Sequence, residues 1–226
     1  MTDSGVPIRD ALIKSALMHI PFDGWSITAL KSGARDIGLN AEIVESVFPR
    51  GVSDAIQYFS QQTDRFMVKS MEDLDLEALR VHERVGRAVE NRLIYLEPYR
   101  ESVLRGLTWL SMPHNSVLGA QLLYRTVDEI WYAVGDRSAD FSFYTKRGLL
   151  AGVLSSTSLF WLNDHSEDGL ETRAFLYRRL ADVMRLHEVS KRVRISRDSV
   201  LGSFSIFKNV IEKRYAKQDI GDSRVT

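Results

Sequence analysis

Apolar residues recur at steps of three and four along nearly the whole chain, and no segment sustains the period-two alternation of a half-buried strand. Val193 and Ile195 alternate with Arg192, Arg194 and Arg197, but one such pair does not make a strand. The pattern predicts an all-α protein of about ten helices. A first helix spans 9–20, with Ile8, Leu12, Ala16 and Ile20 on one face, and Pro21-Phe22-Asp23-Gly24 breaks it. Ser26 caps a short helix that Gly38 closes, and Asn40 caps another that ends at Phe48. Longer helices follow over 52–71 and 74–96, the second stopped by Glu97-Pro98, because a residue before proline avoids helical geometry. A shorter one ends at Met112-Pro113.

Two apolar runs, 117–134 and 149–162, flank the polar stretch Gly135-Asp136-Arg137-Ser138-Ala139-Asp140, which has the residues of a helix stop and a new start. Phe141, Phe143 and Tyr144 come directly after it. Such a cluster is either core or a recognition patch. In the second run the small residues Gly148, Ala151, Gly152, Ser155, Ser156 and Ser158 interleave with bulky ones. Small residues let helices approach closely, or leave an apolar space in which a hydrophobic ligand can sit. A further helix covers 167–189. The last, 199–217, carries Val200, Phe204, Phe207, Ile211 and Tyr215 on one stripe, with Lys208, Lys213, Arg214 and Lys217 beside it. The expected organisation is a three-helix unit over 1–50, a helical ligand-binding and dimerisation domain over 51–190, and a basic linker, amphipathic helix and tail over 191–226.

The short helix, tight glycine turn and short helix near the start have the layout of a helix-turn-helix. Its second helix carries Glu42 and Glu45 and no Lys or Arg, and carboxylates are repelled by phosphates. Net charge is zero over 226 residues, so no overall attraction to nucleic acid exists. No nucleic-acid partner is therefore expected. With no cysteine the chain forms no disulfide, thiolate nucleophile or thiolate-held metal. No phosphate loop, dinucleotide fingerprint or nucleophile elbow is present. Neither His82-Glu83 nor His187-Glu188 has the second histidine of a zinc-protease helix, and no histidine follows a Glu at the di-iron spacing. The expectation is a protein without catalytic residues, resident metal or cofactor. The first residues lack a secretory or transit pattern, which leads to the expectation of a cytoplasmic protein.

Met112-Pro113-His114-Asn115, the run from Thr126 through Val127-Asp128-Glu129-Ile130-Trp131-Tyr132 to Asp136, and Asp140-Phe141-Ser142-Phe143-Tyr144-Thr145-Lys146-Arg147 resemble the coenzyme Q biosynthesis protein nine family. Ile20-Pro21-Phe22-Asp23-Gly24-Trp25 and Phe175-Leu176 with Arg179 match as well. The resemblance implies a TetR-like helical bundle that does not act on DNA. It implies an accessory role in ubiquinone biosynthesis: binding a lipid or polyprenyl quinone intermediate as ligand, and presenting it to the di-iron demethoxyubiquinone hydroxylase. A homodimer, peripherally associated with the inner membrane, is implied too.

Carried over position by position, the hydroxylase-facing patch comprises Leu93, Asp128, Ile130, Asp140, Phe143, Tyr144 and Arg147. The expected lipid cavity is walled by Leu123, Val127, Trp131, Val153 and Leu154, and Phe204, Phe207 and Ile211 are the expected membrane contacts. The family usually has Asn-Trp-Tyr where this chain has Ser142-Phe143-Tyr144, and commonly Trp at the position of Arg173. Phe keeps the apolar anchor of Trp without its N–H donor. The alternative reading is a ligand-responsive transcription regulator of the TetR type, which shares the fold and the cavity.

Overall fold

The computed structural model describes the backbone of residues 5–135 and 142–185, and side chains over 6–135 and 145–185. The chain divides into two compact units, Met1–Arg178 and Arg179–Thr226. The expected 1–50 unit lies within the first of these. Every regular element among the described residues is helical.

Helix α1 (Gly5–Ala16) and α3 (Ile27–Asp36) pack together, with the short α2 (Ile20–Asp23) and α4 (Ile43–Val47) beside them. The first predicted helix is thus two pieces, because the chain turns at Leu17–His19 before Pro21 starts a new turn of helix. Ser26 caps α3 as expected, its Oγ accepting from the N–H of Ala29 at 3.1 Å. At the contact of α1 with α3, a side chain on Gly33 would meet the backbone of Ala16 at 2.6 Å, so only glycine allows the approach.

Helix α5 (Val52–Glu72) packs on α6 (Val81–Leu96) and α8 (Ser116–Ala133), and α8 packs on α9 (Ser142–Leu162). Helix α7 (Arg100–Ser111) lies against α2 and α8. The predicted start of α6 at residue 74 is seven residues early. Residues 73–80 form turns, and the helix begins where Glu83 Oε2 accepts from the N–H of Arg80 at 2.7 Å. Apolar residues in 73–80 had extended the periodic pattern past the real start. Gly135 ends α8 with φ of +82°, a conformation glycine adopts without strain.

After α9, the side chain of Asp164 accepts from the N–H groups of Ser166 and Thr172, both at 2.8 Å, and from the Thr172 hydroxyl. It thereby caps the helical residues 170–178 that complete the first unit. Phe175 from this segment stacks on Phe160, centroids 4.5 Å apart, and Arg173 pairs with Glu90 of α6 at 3.0 Å. In the second unit residues 179–185 are helical, and Asp182 pairs there with Arg179 at 3.0 Å.

Candidate functional site: an apolar cavity with one polar end

Five helices of the first unit and Trp25 surround a cavity of about 450 Å³. Helix α5 contributes Ile56, Phe59 and Thr63, one turn apart on a single face. Helix α6 contributes Arg92, Leu93 and Leu96, and α9 contributes Leu154, Ser155, Ser158, Leu159 and Trp161. The α8 wall runs from Ser116 through Gly119, Leu122 and Leu123 to Thr126. Leu107, Ser111, Ser116 and Leu159 line the cavity and are also exposed, so it opens to the outside along these side chains.

Small residues keep the space open. Gly106 is held against Trp25, whose indole Nε1 would lie 3.1 Å from an added Cβ, and that Nε1–H donates to the Ser102 carbonyl at 2.9 Å. The Trp161 indole donates to Glu97 at 2.7 Å, and the Arg100 guanidinium lies 4.9 Å from its ring centroid. Both tryptophans therefore have their N–H groups engaged and offer ring carbon to the cavity.

One end differs from the rest. The wall on α5, α6 and α8 finishes at Thr63, Arg92 and Thr126, and these positions converge on Asp64. The carboxylate accepts from Arg92 Nε at 3.1 Å and from the Thr126 hydroxyl at 3.1 Å on each oxygen. The Thr63 hydroxyl is turned back onto the Phe59 carbonyl at 2.9 Å. A buried ion pair of this kind is tolerable only because further hydrogen bonds satisfy the carboxylate.

Of the residues expected in the wall, Leu123 and Leu154 line the cavity. Val127, Trp131 and Val153 are buried but are not part of that wall. The physical reason is rotation: a residue one step from a wall residue, as Val127 is from Thr126 and Val153 from Leu154, points about 100° away around the helix. The missed wall belongs to α7 and α5. Its sequence signal was the stripe Val103, Leu107 and Leu110 with Ser102 and Gly106 beside it, the same mixture of bulky and small residues seen in α9.

The expected docking patch is only partly at the surface. Leu93 and Ile130 are buried, and Leu93 faces the cavity, so neither offers a contact to a partner. Their apolar side chains, carried over as patch residues from the family resemblance, are used in the core. Arg147 is buried too, with Nε and Nη2 donating to Asp128 Oδ1 at 2.8 and 2.6 Å, while Asp128 itself is half exposed. These two charge-assisted hydrogen bonds to one carboxylate oxygen tie α9 to α8. What α8 does present outward is Val117, Tyr124, Asp128 and Tyr132, a stripe at steps of seven, four and four, and Tyr132 is 76% exposed. Phe143 and Tyr144 lie in the first turn of α9, their side chains outside the described residues. Asp140 and the expected membrane contacts Phe204, Phe207 and Ile211 lie wholly outside them.

The second short helix of the helix-turn-helix-like region, α4, carries no Lys or Arg. The short α4 carries Glu45, which pairs with Lys31 of α3 at 3.3 Å and so consumes one of the few cations available. Among the described residues no helix is long and apolar enough to cross a membrane, and no cluster of His and carboxylate side chains could hold a metal ion.

Residues 117–187 match the family model described as COQ9. Ubiquinone biosynthesis protein COQ9, mitochondrial, of Homo sapiens is 30% identical over 206 residues, covering 88% of this chain and 64% of that protein. The chain thus spans a little under two thirds of the human relative's length. Ubiquinone biosynthesis protein COQ9-B, mitochondrial, of Xenopus laevis is 30% identical over 206 residues, covering 88% of this chain and 70% of that protein. Among solved structures, a TetR transcriptional regulator from Nitrosomonas europaea ATCC 19718 superposes with a TM-score of 0.64 at 22% identity, covering 79% of this chain and 98% of that chain. The fold is TetR-like.

Proposed function

Because this chain belongs to the COQ9 family, we propose that it serves ubiquinone biosynthesis as a lipid-binding accessory protein without catalytic activity of its own. It takes a polyprenyl quinone intermediate at a membrane surface and presents it to the di-iron demethoxyubiquinone hydroxylase. The observation that carries this reading is the apolar cavity of about 450 Å³ at the centre of the first unit. Its volume lies within the roughly 300–1,000 Å³ of ligand pockets. At about 30 Å³ per water-sized group, it holds about fifteen such groups. That suits a substituted ring with the first part of an isoprenoid tail, and the remainder of a long tail leaves by the mouth at Leu107 and Leu159. Shielding the tail is worthwhile because each CH₂ exposed to water costs about 0.8 kcal/mol.

Contact with the hydroxylase is assigned to the outward stripe of α8, Tyr124, Asp128 and Tyr132, together with Phe143 and Tyr144 at the start of α9. Aromatic side chains beside a charge suit the centre of an interface. The basic, amphipathic segment with Phe204, Phe207 and Ile211 supplies the membrane contact, reversible in the manner of an interfacial helix. A homodimer completes the assembly.

The test is mass spectrometry of lipid extracted from protein purified without detergent, paired with co-purification of the hydroxylase. Quinone intermediates in the extract and a stable complex are expected. An extract free of isoprenoid lipid, from protein that also fails to take up added quinone, would refute the reading. The regulator alternative has the fold in its favour, but the paired Glu45 on α4 opposes operator binding.

A further inference from the structure

The polar end of the cavity contains a hydrogen-bonding group that the protein does not use. Arg92 has five N–H donors in a planar fork. Among the described residues its one hydrogen bond runs from Nε to Asp64, so the Nη groups have no protein acceptor. They are not sealed-in atoms either, and Arg92 is part of the cavity wall. Arg92 thus brings four unmet N–H donors to the wall of a mostly apolar chamber, where an unmet donor is costly and a matching acceptor is rewarded.

The charge balance narrows what that acceptor can be. Asp64 already neutralises Arg92, and Thr126 spends its hydroxyl proton on the same carboxylate. Beyond Asp64, the outer groove sets Arg65, Lys69 and Arg125 against Glu72 and Glu129, and Asp10 lies 3.9 Å from Arg65 as the third carboxylate, so no surplus positive charge reaches the cavity from there. A phosphate or carboxylate would enter a low-dielectric space without a free counter-ion. A neutral oxygen, such as a ring carbonyl, phenol or methoxy group, gains the hydrogen bonds without that penalty.

We infer that Arg92 is the headgroup-recognising residue of the cavity, and that it selects a neutral, oxygen-bearing ring over both a bare hydrocarbon and an anionic headgroup. This deepens the lipid-binding reading and rests on it. In this arrangement the ring lies at the Thr63–Arg92–Thr126 end and the tail runs toward Leu107 and Leu159. Asp64 is a positioning residue that holds the fork facing the ring.

Calorimetric titration with three probes sharing a two-isoprene tail tests this: a ubiquinone, a geranylated benzene without ring oxygens, and geranyl diphosphate. The wild-type protein should bind the quinone at least tenfold more tightly than either of the others. In Asp64→Asn/Arg92→Met, which removes the pair together and leaves no buried lone charge, that preference should fall below threefold, because the quinone loses its donors and the hydrocarbon no longer strands them. Arg92→Lys keeps the charge opposite Asp64 but loses the fork, and should show an intermediate preference even if the double variant fails to fold. Equal binding of quinone and hydrocarbon by the wild type, tighter binding of the diphosphate, or an undiminished preference in the variants would overturn the assignment to Arg92 alone. If no probe binds the wild type, the lipid-binding reading falls with it.

Discussion

Asp64→Ala provides a quantitative check on how the cavity is held together. The Asp64 side chain is 3% exposed and its Arg92 partner 14%, so water can replace little of the lost contact. Removing one member of a buried ion pair costs about 3–5 kcal/mol, because the other charge is stranded. The Thr126 hydroxyl loses its acceptor as well, but that loss overlaps with the first, since all three groups form one network. The residual access of Arg92 to the cavity places the expected loss near the lower end, about 3–4 kcal/mol. For a protein of this size each kcal/mol moves the thermal midpoint by about 2–4 °C, so a drop of about 6–16 °C should follow.

Urea unfolding followed by far-UV circular dichroism measures the loss directly, and the cycle through Arg92→Met and Asp64→Ala/Arg92→Met isolates the pair. The double variant should be less destabilised than the two single losses added together, because it buries no orphan charge. A loss below about 1 kcal/mol for Asp64→Ala, or simple additivity in the cycle, would show that the buried network does not brace α5, α6 and α8.

Four further outcomes can be checked. Ser158→Trp, which fills the cavity from its α9 wall, should cut co-purified lipid at least tenfold with the far-UV spectrum unchanged; retained lipid would place the ligand elsewhere. Gly33→Ala should cost about 1–3 kcal/mol by urea titration, because its Cβ meets backbone on Ala16, whereas Gly148→Ala, with nothing within 4 Å, should be neutral or slightly stabilising. Burial opposes ionisation of Asp164, but donation from Thr172 and Ser166 outweighs it and holds the carboxyl well below the usual range. Its contribution is therefore complete above the ordinary aspartate pKa of about 3.9 and disappears as pH falls through the lower folded value. The stability gap between wild type and Asp164→Ala should stay flat from pH 8 to about pH 5 and shrink below about pH 4; a gap that shrinks on going alkaline would contradict this. Tyr132→Asp, on an exposed position, should weaken capture of the hydroxylase at least tenfold with the thermal midpoint within about 1 °C of wild type, since exposed substitutions rarely move stability.

The sequence alone determined the helical class, most helix boundaries and the kind of interior the middle helices would build. Periodicity and local chemistry settle these within a few residues of each position. Ser26 accepts from Ala29 because a serine before an apolar-periodic segment finds an unpaired backbone N–H donor one turn away. Gly135 stops α8 because the turn needs a positive φ. The motif from Met112 to Arg147 likewise sufficed to place the chain in its family.

The tertiary structure decided which apolar residues face space and which face one another. Leu123 and Val127 share a stripe on α8, yet only Leu123 reaches the cavity, because the rotation of α8 is fixed by its packing on α5 and α9. Leu93 and Ile130, placed in the docking patch by the family resemblance, lie buried, while Tyr124 and Tyr132 stand outside. The convergence of Asp64, Arg92 and Thr126 joins residues 28 and 62 positions apart. No local pattern encodes such a meeting, because it exists only once three helices have closed around a common centre.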